Sequence, residues 1–227
     1  MLFAVNRKHN PAFNLALEEY LCGYGKDVFM LWRNEPAVII GRFQDVEAEV
    51  DREFAKAKGI YIVRRNSGGG TVYHDLGNVN YSFILRDDWT LTLSHFAEVM
   101  LGTLRDIGIR SELEFRHNDI LADGHKVSGM AQYHHDGVIL HHGTLLFDTD
   151  IEVIQKVLRR CGDVANIRPL LKDDISVTDF MAAIRDNINI FGTLTLSQKD
   201  YDDVNMLMSR KYNNPQWNNE GENNDRV

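Results

Sequence analysis

Cysteine is scarce in this 227-residue chain, where only Cys22 and Cys161 occur. Two thiols cannot build the multi-bridge framework of a small secreted fold, so a reducing, cytoplasmic location is the expectation. Cys22 falls in an apolar helical pattern and reads as core. Long apolar runs are missing too. No stretch approaches the ~20 residues of a membrane-spanning helix. The first residues show no charged leader followed by an apolar segment and a small-residue cleavage site. Basic residues are fewer than acidic ones, 25 against 33, for a net charge of −8. That balance argues against a non-specific nucleic-acid binder and against an anionic-membrane protein. What remains is an ordinary globule. Its 44% apolar content and mean hydropathy of −0.31 allow a sizeable core.

Because positive charge is scarce, the cluster Arg33, Arg42, Arg64 and Arg65 stands out. The last two open the stretch Arg64-Arg65-Asn66-Ser67-Gly68-Gly69-Gly70-Thr71-Val72-Tyr73-His74-Asp75-Leu76-Gly77-Asn78. It lies between two strand-like runs, 59–63 and 81–85. Three consecutive glycines leave the backbone without Cβ atoms, so a ligand can lie directly against the amides. Paired arginines ahead of them carry forked donors suited to phosphate or carboxylate. The stretch therefore reads as an anion cradle. A bare triple glycine would equally be a surface loop; the longer pattern around it carries the chemical reading.

The rest of the chain alternates helical and strand-like patterns. Asn10 and Pro11 start a helix whose residues Phe13, Ala16, Leu17, Tyr20 and Leu21 form an apolar stripe. Strands are expected at 2–6, 28–32 and 37–41, then a charged helix at 48–58. After the 81–85 strand comes an amphipathic helix at 91–106. Strands at 112–115, 119–122, 126–133 and 138–147 follow, joined by Asp123-Gly124 and His135-Asp136-Gly137 turns. Helices are expected at 151–160, 177–190 and 197–211. This predicts an α+β fold, a mixed and mostly antiparallel β-sheet flanked by helices. No internal repeat or second domain is visible. The domain is expected to span 1–212, leaving 213–227 as a polar, poorly ordered tail.

The glycine stretch resembles the motif of the lipoate-protein ligase A family, within the biotin/lipoyl protein ligase superfamily. Three further stretches support the resemblance. They are Trp32-Arg33-Asn34 leading to Ile40-Gly41-Arg42-Phe43-Gln44, Lys126-Val127-Ser128-Gly129-Met130-Ala131-Gln132, and His141-His142-Gly143-Thr144-Leu145-Leu146. The likeness is close over residues 1–150 and looser beyond. It implies a biotin/lipoyl protein ligase-like catalytic domain without the family's C-terminal accessory domain. The implied activity is ATP-dependent: lipoate becomes lipoyl-AMP, and lipoyl passes to a lysine of an acceptor lipoyl domain. Acceptors of this kind are the glycine cleavage H protein and the acyltransferase subunits of 2-oxoacid dehydrogenases. A separate accessory-domain protein is a further candidate partner. The substrates and ions implied are ATP, lipoate and Mg2+.

On the same resemblance Lys126 is the catalytic residue, contacting both acyl carbonyl and phosphate as a compact point charge. Arg65 is placed on the nucleotide phosphates. Gly70, Thr71, Val72 and Tyr73 offer backbone to ATP or lipoyl-AMP, with Gly69, Gly70 and Lys126 also at the lipoate. Asp119, beside Asn118, is either a magnesium ligand near the nucleotide or a structural aspartate. Trp32 and Phe43 either line an apolar slot for the lipoyl chain or pack in the core. His74 reads as a loop-shaping residue rather than a general base. Strand alternation allows at most one of His141 and His142 to face the site. The histidines between 117 and 142 have no zinc-ligand spacing.

Two other functions fit the same residues. One is a lipoyl or octanoyl transferase lacking the activation step; octanoyl transferases of the superfamily use a cysteine nucleophile, and neither Cys22 nor Cys161 falls in a matching motif. The other is a non-catalytic module that binds lipoyl or nucleotide. Biotin ligation fits less well, because the paired-arginine, triple-glycine loop is the lipoate form.

Overall fold

A computed structural model describes residues 1–88 and 90–221. β1 (Leu2–Ala4) leads to α1 (Pro11–Cys22), where the Asn10 side chain accepts from Phe13 N and caps the first turn. β2 (Val28–Trp32) and β3 (Ala37–Ile40) follow, each fully buried. The charged helix expected at 48–58 is two helices, α2 (Val46–Glu49) and α3 (Arg52–Lys58). Val50 between them is extended and bridges Leu158, while the Asp51 carboxylate starts α3 by accepting from Phe54 N. β4 (Tyr61–Arg64), β5 (Val72–His74) and β6 (Asn78–Arg86) frame the glycine stretch.

Then come α4 (Leu93–Ile107), β7 (Leu113–Arg116), β8 (Asp119–Ala122), β9 (His125–His135), β10 (Val138–Leu146) and α5 (Ile151–Val157). Gly108, at φ 100, takes the left-handed conformation that ends α4. After a 3-10 turn, Arg168–Leu170, the chain forms α6 (Val177–Asn187), β11 (Gly192–Leu194) and α7 (Gln198–Leu207). Capping boxes open α6 at Ser176 and Asp179 and α7 at Ser197 and Asp200. A π-helical turn, Met208–Tyr212, and α8 (Pro215–Glu220) close the described chain.

The strands make an eight-stranded sheet, β11-β1-β2-β6-β10-β9-β8-β7, and a three-stranded sheet, β4-β3-β5. β1 runs parallel to β2 and β11, and β3 parallel to β4; the other pairings are antiparallel. The mixed, mostly antiparallel sheet with flanking helices is thus the observed fold. One face of the large sheet packs on α4 and α6 through Phe83, Phe96, Met100 and Phe180. The other packs on α1 and the C-terminal helices through Leu17, Met30, Val204 and Tyr212. The small sheet meets α5 through Val38, Ile40, Ile154 and Val157.

The C-terminal expectation changes as well. Residues 213–221 are not a loose tail: Asn214 caps α8 and Trp217 is buried against the chain. The part of that expectation covering 222–227 lies outside the described residues. β11 was not visible in the sequence because its three residues become a strand only by pairing with β1. Among the described residues no helix is long and apolar enough to cross a membrane.

Candidate active site

Between the two sheets lies a cavity of about 620 Å³, its mouth included, walled by Leu15, Trp32, Ile39, Val72, Met130 and Ala131. Apolar walls with a few convergent polar groups suit a small-molecule site. Its polar lining comes from Arg65, His74, Asn80, Asn118, Asp119, Lys126, His142 and Thr144, with the backbone of Gly69, Gly70, Gly129 and Gly143. Most of these side chains are buried, whereas those of Lys126 and Asp119 keep 30% and 34% of their surface exposed. The charged pair therefore marks the solvent-facing end.

Lys126 is set near the start of β9, where its amide donates to Asp163 O and its carbonyl accepts from Ala165 N. Asp119 stands opposite Gly129 in the β8–β9 ladder, and the Lys126 Nζ reaches back to Asp119 Oδ1 at 2.8 Å. A Cβ on Gly129 would lie 3.0 Å from Lys126 Cε and Nζ and 3.3 Å from Asp119 Oδ1. Glycine at 129 is what allows the ammonium to fold over the strand.

The inner wall is a chain of oriented hydrogen bonds. Trp32 Nε1 donates to Ser82 Oγ at 2.8 Å, and Ser82 Oγ donates to Glu18 Oε1 at 2.6 Å. His142 Nδ1 lies 3.0 Å from the same carboxylate oxygen, and its Nε2 lies 2.6 Å from Ser67 Oγ. With Nδ1–H on the carboxylate, Nε2 accepts the Ser67 hydroxyl proton, while Arg65 Nε donates to Ser67 Oγ at 2.9 Å. The order Ser67–His142–Glu18 has the connectivity of a nucleophile, base and orienting acid. Ser67, however, is fully buried and does not line the cavity, whereas His142 does. The hydroxyl braces the ring.

Behind this wall Asn14 Nδ2 donates to Asn34 Oδ1 at 2.8 Å, and Asn34 Nδ2 lies 3.0 Å from His74 Nδ1. Burial, reinforced by the Arg65 charge and by His142, pulls the His74 imidazole down to about 3, so it is neutral near pH 7. His74 is a loop-shaping residue that also lines the cavity. Alternation along β10 sends His142 to the cavity and His141 into the core, where it stacks on Phe96 at 4.1 Å.

Arg65 is buried, and burial pulls its guanidinium down to about 10 against the opposing charge of Glu18. It donates to Ile39 O at 3.2 Å, Gly68 O at 2.6 Å and Gly70 O at 2.7 Å. Its first task is therefore to hold the glycine turn closed. Gly69, at φ 87, takes the conformation that favours glycine. Gly41 packs so tightly that a Cβ there would meet Gly69 O at 2.0 Å.

Arg64 corrects the expectation of a paired-arginine cradle. Its side chain turns away from the cavity into a set of backbone carbonyls, and it is only 1% exposed. Of the remaining arginines, Arg33 Nη1 donates to Leu76 O, and Arg42 lies over the Phe43 and Tyr133 rings.

The structure thus brings Trp32, Arg65, Gly69, Gly70, Thr71, Val72, Asp119 and Lys126 to one cavity. It does not bring Tyr73, whose ring points to the opposite face of β5 and packs with Val38 and Ile40. Phe43 is not part of an apolar slot: it is 75% exposed. Glu18, Ser67, Ser82 and Asn80 were missed. The available signal was on α1, where Asn14 and Glu18 stand four residues apart and stack on one helix face otherwise apolar. Among the described residues no group of three or more His, Cys, Asp or Glu side chains is arranged to hold a metal ion.

A family model, lipoyl protein ligase A/B catalytic domain, matches residues 10–189. The lipoate-protein ligase LplJ of Bacillus subtilis is 35% identical over 243 residues, covering 96% of this chain and 73% of that protein. A solved lipoate-protein ligase A bound with ATP superposes with a TM-score of 0.88 at 28% identity, covering 97% of this chain and 99% of that one. A Thermoplasma acidophilum structure, from work on a bi-partite lipoate protein ligase and its E2 lipoyl domain, gives 0.86 at 26% identity, covering 100% and 98%. With a match over most of its length and the same fold, the chain belongs to the lipoyl protein ligase A/B catalytic domain family.

Proposed function

We propose that this chain joins lipoate to ATP, forming lipoyl-AMP and pyrophosphate, and then passes the lipoyl group to a lysine of an acceptor lipoyl domain. One observation carries the reading. An ammonium, Lys126, stands at the solvent-facing end of an apolar, largely buried cavity whose wall is the triglycine segment. An acyl chain fits the apolar interior, and its carboxylate emerges where Lys126 waits.

Bringing a carboxylate against a triphosphate is electrostatically unfavourable, so a cation at the junction lowers the barrier. Lys126 supplies that charge to the carboxylate and the α-phosphate, and later to the carbonyl oxygen under attack by the acceptor amine. Positioning does the rest, because no covalent enzyme intermediate is needed. The neighbouring thiols are poorly suited to such an intermediate. Neither lines the cavity, and burial pushes Cys22 up to about 12 and Cys161 above its ordinary value. Magnesium beside phosphate favours hard oxygens. Asp119, whose Oδ1 holds Lys126, and Asn118 would supply them, and the ion would neutralise phosphate charge.

The acceptor is read as a lipoyl domain of the glycine cleavage H protein or of a 2-oxoacid dehydrogenase acyltransferase, met in the cytoplasm. A separate accessory chain is a further candidate partner for the activation step. Lipoate-dependent ATP–pyrophosphate exchange, run with and without such a chain, is expected in at least one of the two. Lys126→Ala should lower it by about 10²–10³-fold, the scale of losing one transition-state donor. Exchange unaltered in that variant removes Lys126 from the chemistry. Transfer from supplied lipoyl-AMP without any exchange makes the chain a transferase.

A further inference from the structure

The first arginine of the pair is not used by the cavity, yet it is among the largest fully buried side chains in the molecule. Its guanidinium meets no carboxylate within the bonds it makes; it is held by backbone carbonyls from two separate segments. From the loop after β3 come Gly41 O at 2.9 Å, Arg42 O at 3.1 Å and Gln44 O at 2.7 Å. From α8 come Trp217 O at 3.0 Å, Asn218 O at 3.2 Å and Asn219 O at 2.9 Å. The Arg64 backbone is gripped as well, its N–H donating to Asn218 Oδ1 at 3.0 Å and its carbonyl accepting from Trp217 Nε1 at 2.9 Å.

The loop that Arg64 holds is the one that shapes the glycine turn. Gln44 Oε1 accepts from Thr71 Oγ1 at 2.7 Å, and Gly41 is pressed against Gly69. A second route runs from the same C-terminal segment. Tyr212 Oη donates to Glu19 Oε2 at 2.6 Å, Lys211 Nζ lies 3.0 Å from that oxygen, and Asn66 Nδ2 donates to it at 2.8 Å. The segment 208–221 therefore grips the turn at Asn66 and, through Arg64, at residues 69 and 71. The deep end of the cavity, by contrast, rests on α1, β2 and β3.

We propose that Arg64 is a positioning residue that transmits the packing of the C-terminal segment to the triglycine wall, so that affinity for the nucleotide depends on residues that never touch it. The proposal rests on the reading that this wall receives a nucleotide, but its structural half can be tested without ligand. Two variants separate the parts. Arg64→Lys keeps the charge but loses the fork that spans two segments, and Trp217→Phe keeps the packed ring but loses one bond to Arg64 O.

In the ligand-free protein, amide hydrogen exchange over residues 66–72 is expected to quicken at least several-fold in both variants. Exchange across the β8–β9 ladder should be unchanged. With substrates, KM for ATP should rise about tenfold, with kcat little altered. A general loss of folding would move all of these together, and that result overturns the proposal. So does exchange over 66–72 that matches wild type. A wild-type chain that binds no ATP would defeat the functional reading alone, because the ligand-free exchange would still decide the role of Arg64.

Discussion

Lys126 reaches Asp119 at 2.8 Å only because residue 129 has no side chain. Gly129→Ala would place a methyl group 3.0 Å from the ammonium, tighter than most real contacts. The atoms it meets are the free end of a flexible side chain, so the fold should survive while Lys126 moves aside. Displacement of a catalytic group by about 1 Å can cost ~10²-fold in rate. Lipoate-dependent exchange should fall by about that factor, with thermal stability near wild type; full activity would show that the ammonium need not fold over the strand. Arg64 and Arg65 teach the opposite lesson at this scale. Adjacent and chemically identical, they point to different sides of the chain where β4 ends, one to the C-terminal segment and one to the cavity. Alternation along a strand divides a motif that looks like a unit in sequence.

At the scale of elements, α1 organises the interior. Asn14 reaches the loop after β2, Glu18 the cavity wall and Glu19 the glycine turn together with the C-terminal segment. Burial alone would raise the Glu19 carboxyl, but bonds from Tyr212 and Asn66 and the Lys211 charge hold it below its ordinary value. Glu18 is 2% exposed and accepts from Ser82 and His142. Glu18→Ala would strand both donors, at roughly 1–3 kcal/mol for each buried group left without a partner. Urea unfolding should show a loss of that order, and Glu18→Gln, which retains one acceptor, should lose less. A Glu18→Ala variant as stable as wild type would mean that the wall repacks without the network. The sequence does show α1 as a helix, with its cap, its proline and its apolar stripe. It does not show that Asn14 and Glu18 flank that stripe because a polar network lies opposite.

For the whole molecule, two buried imidazoles set a pH dependence. Burial lowers His74 to about 3 and puts His141 well below its ordinary value. In the unfolded chain both protonate near pH 6.5. Above that pH both states are neutral there and the fold loses nothing. As pH falls below about 6.5 the unfolded state takes up protons that the folded state refuses, so stability declines towards the depressed folded values. Each such group contributes at most ~1.4 kcal/mol per pH unit. Melting temperature should therefore drop between pH 7 and pH 5, and His141→Phe, which keeps the stack on Phe96, should make that drop shallower. An identical slope in the variant would exclude His141 as a source.

Local chemistry was legible in the chain itself: a helix start at Asn10 and Pro11, strands with β-branched residues, and a glycine run that no ordinary core element would carry. The motif around Lys126 and the triple glycine also marked most of the cavity lining, because a ligand-facing backbone needs small residues wherever it occurs. Tertiary structure decided what depends on partners distant in sequence. It made a strand of Gly192–Leu194 by laying it beside β1, and it turned the polar residues 213–221 into an ordered clamp because Arg64 offers donors to their carbonyls. It also chose which arginine, which histidine and which face of β5 meet the ligand cavity. Those choices are made by long-range packing and hydrogen bonding, whose energies are set only when the segments meet.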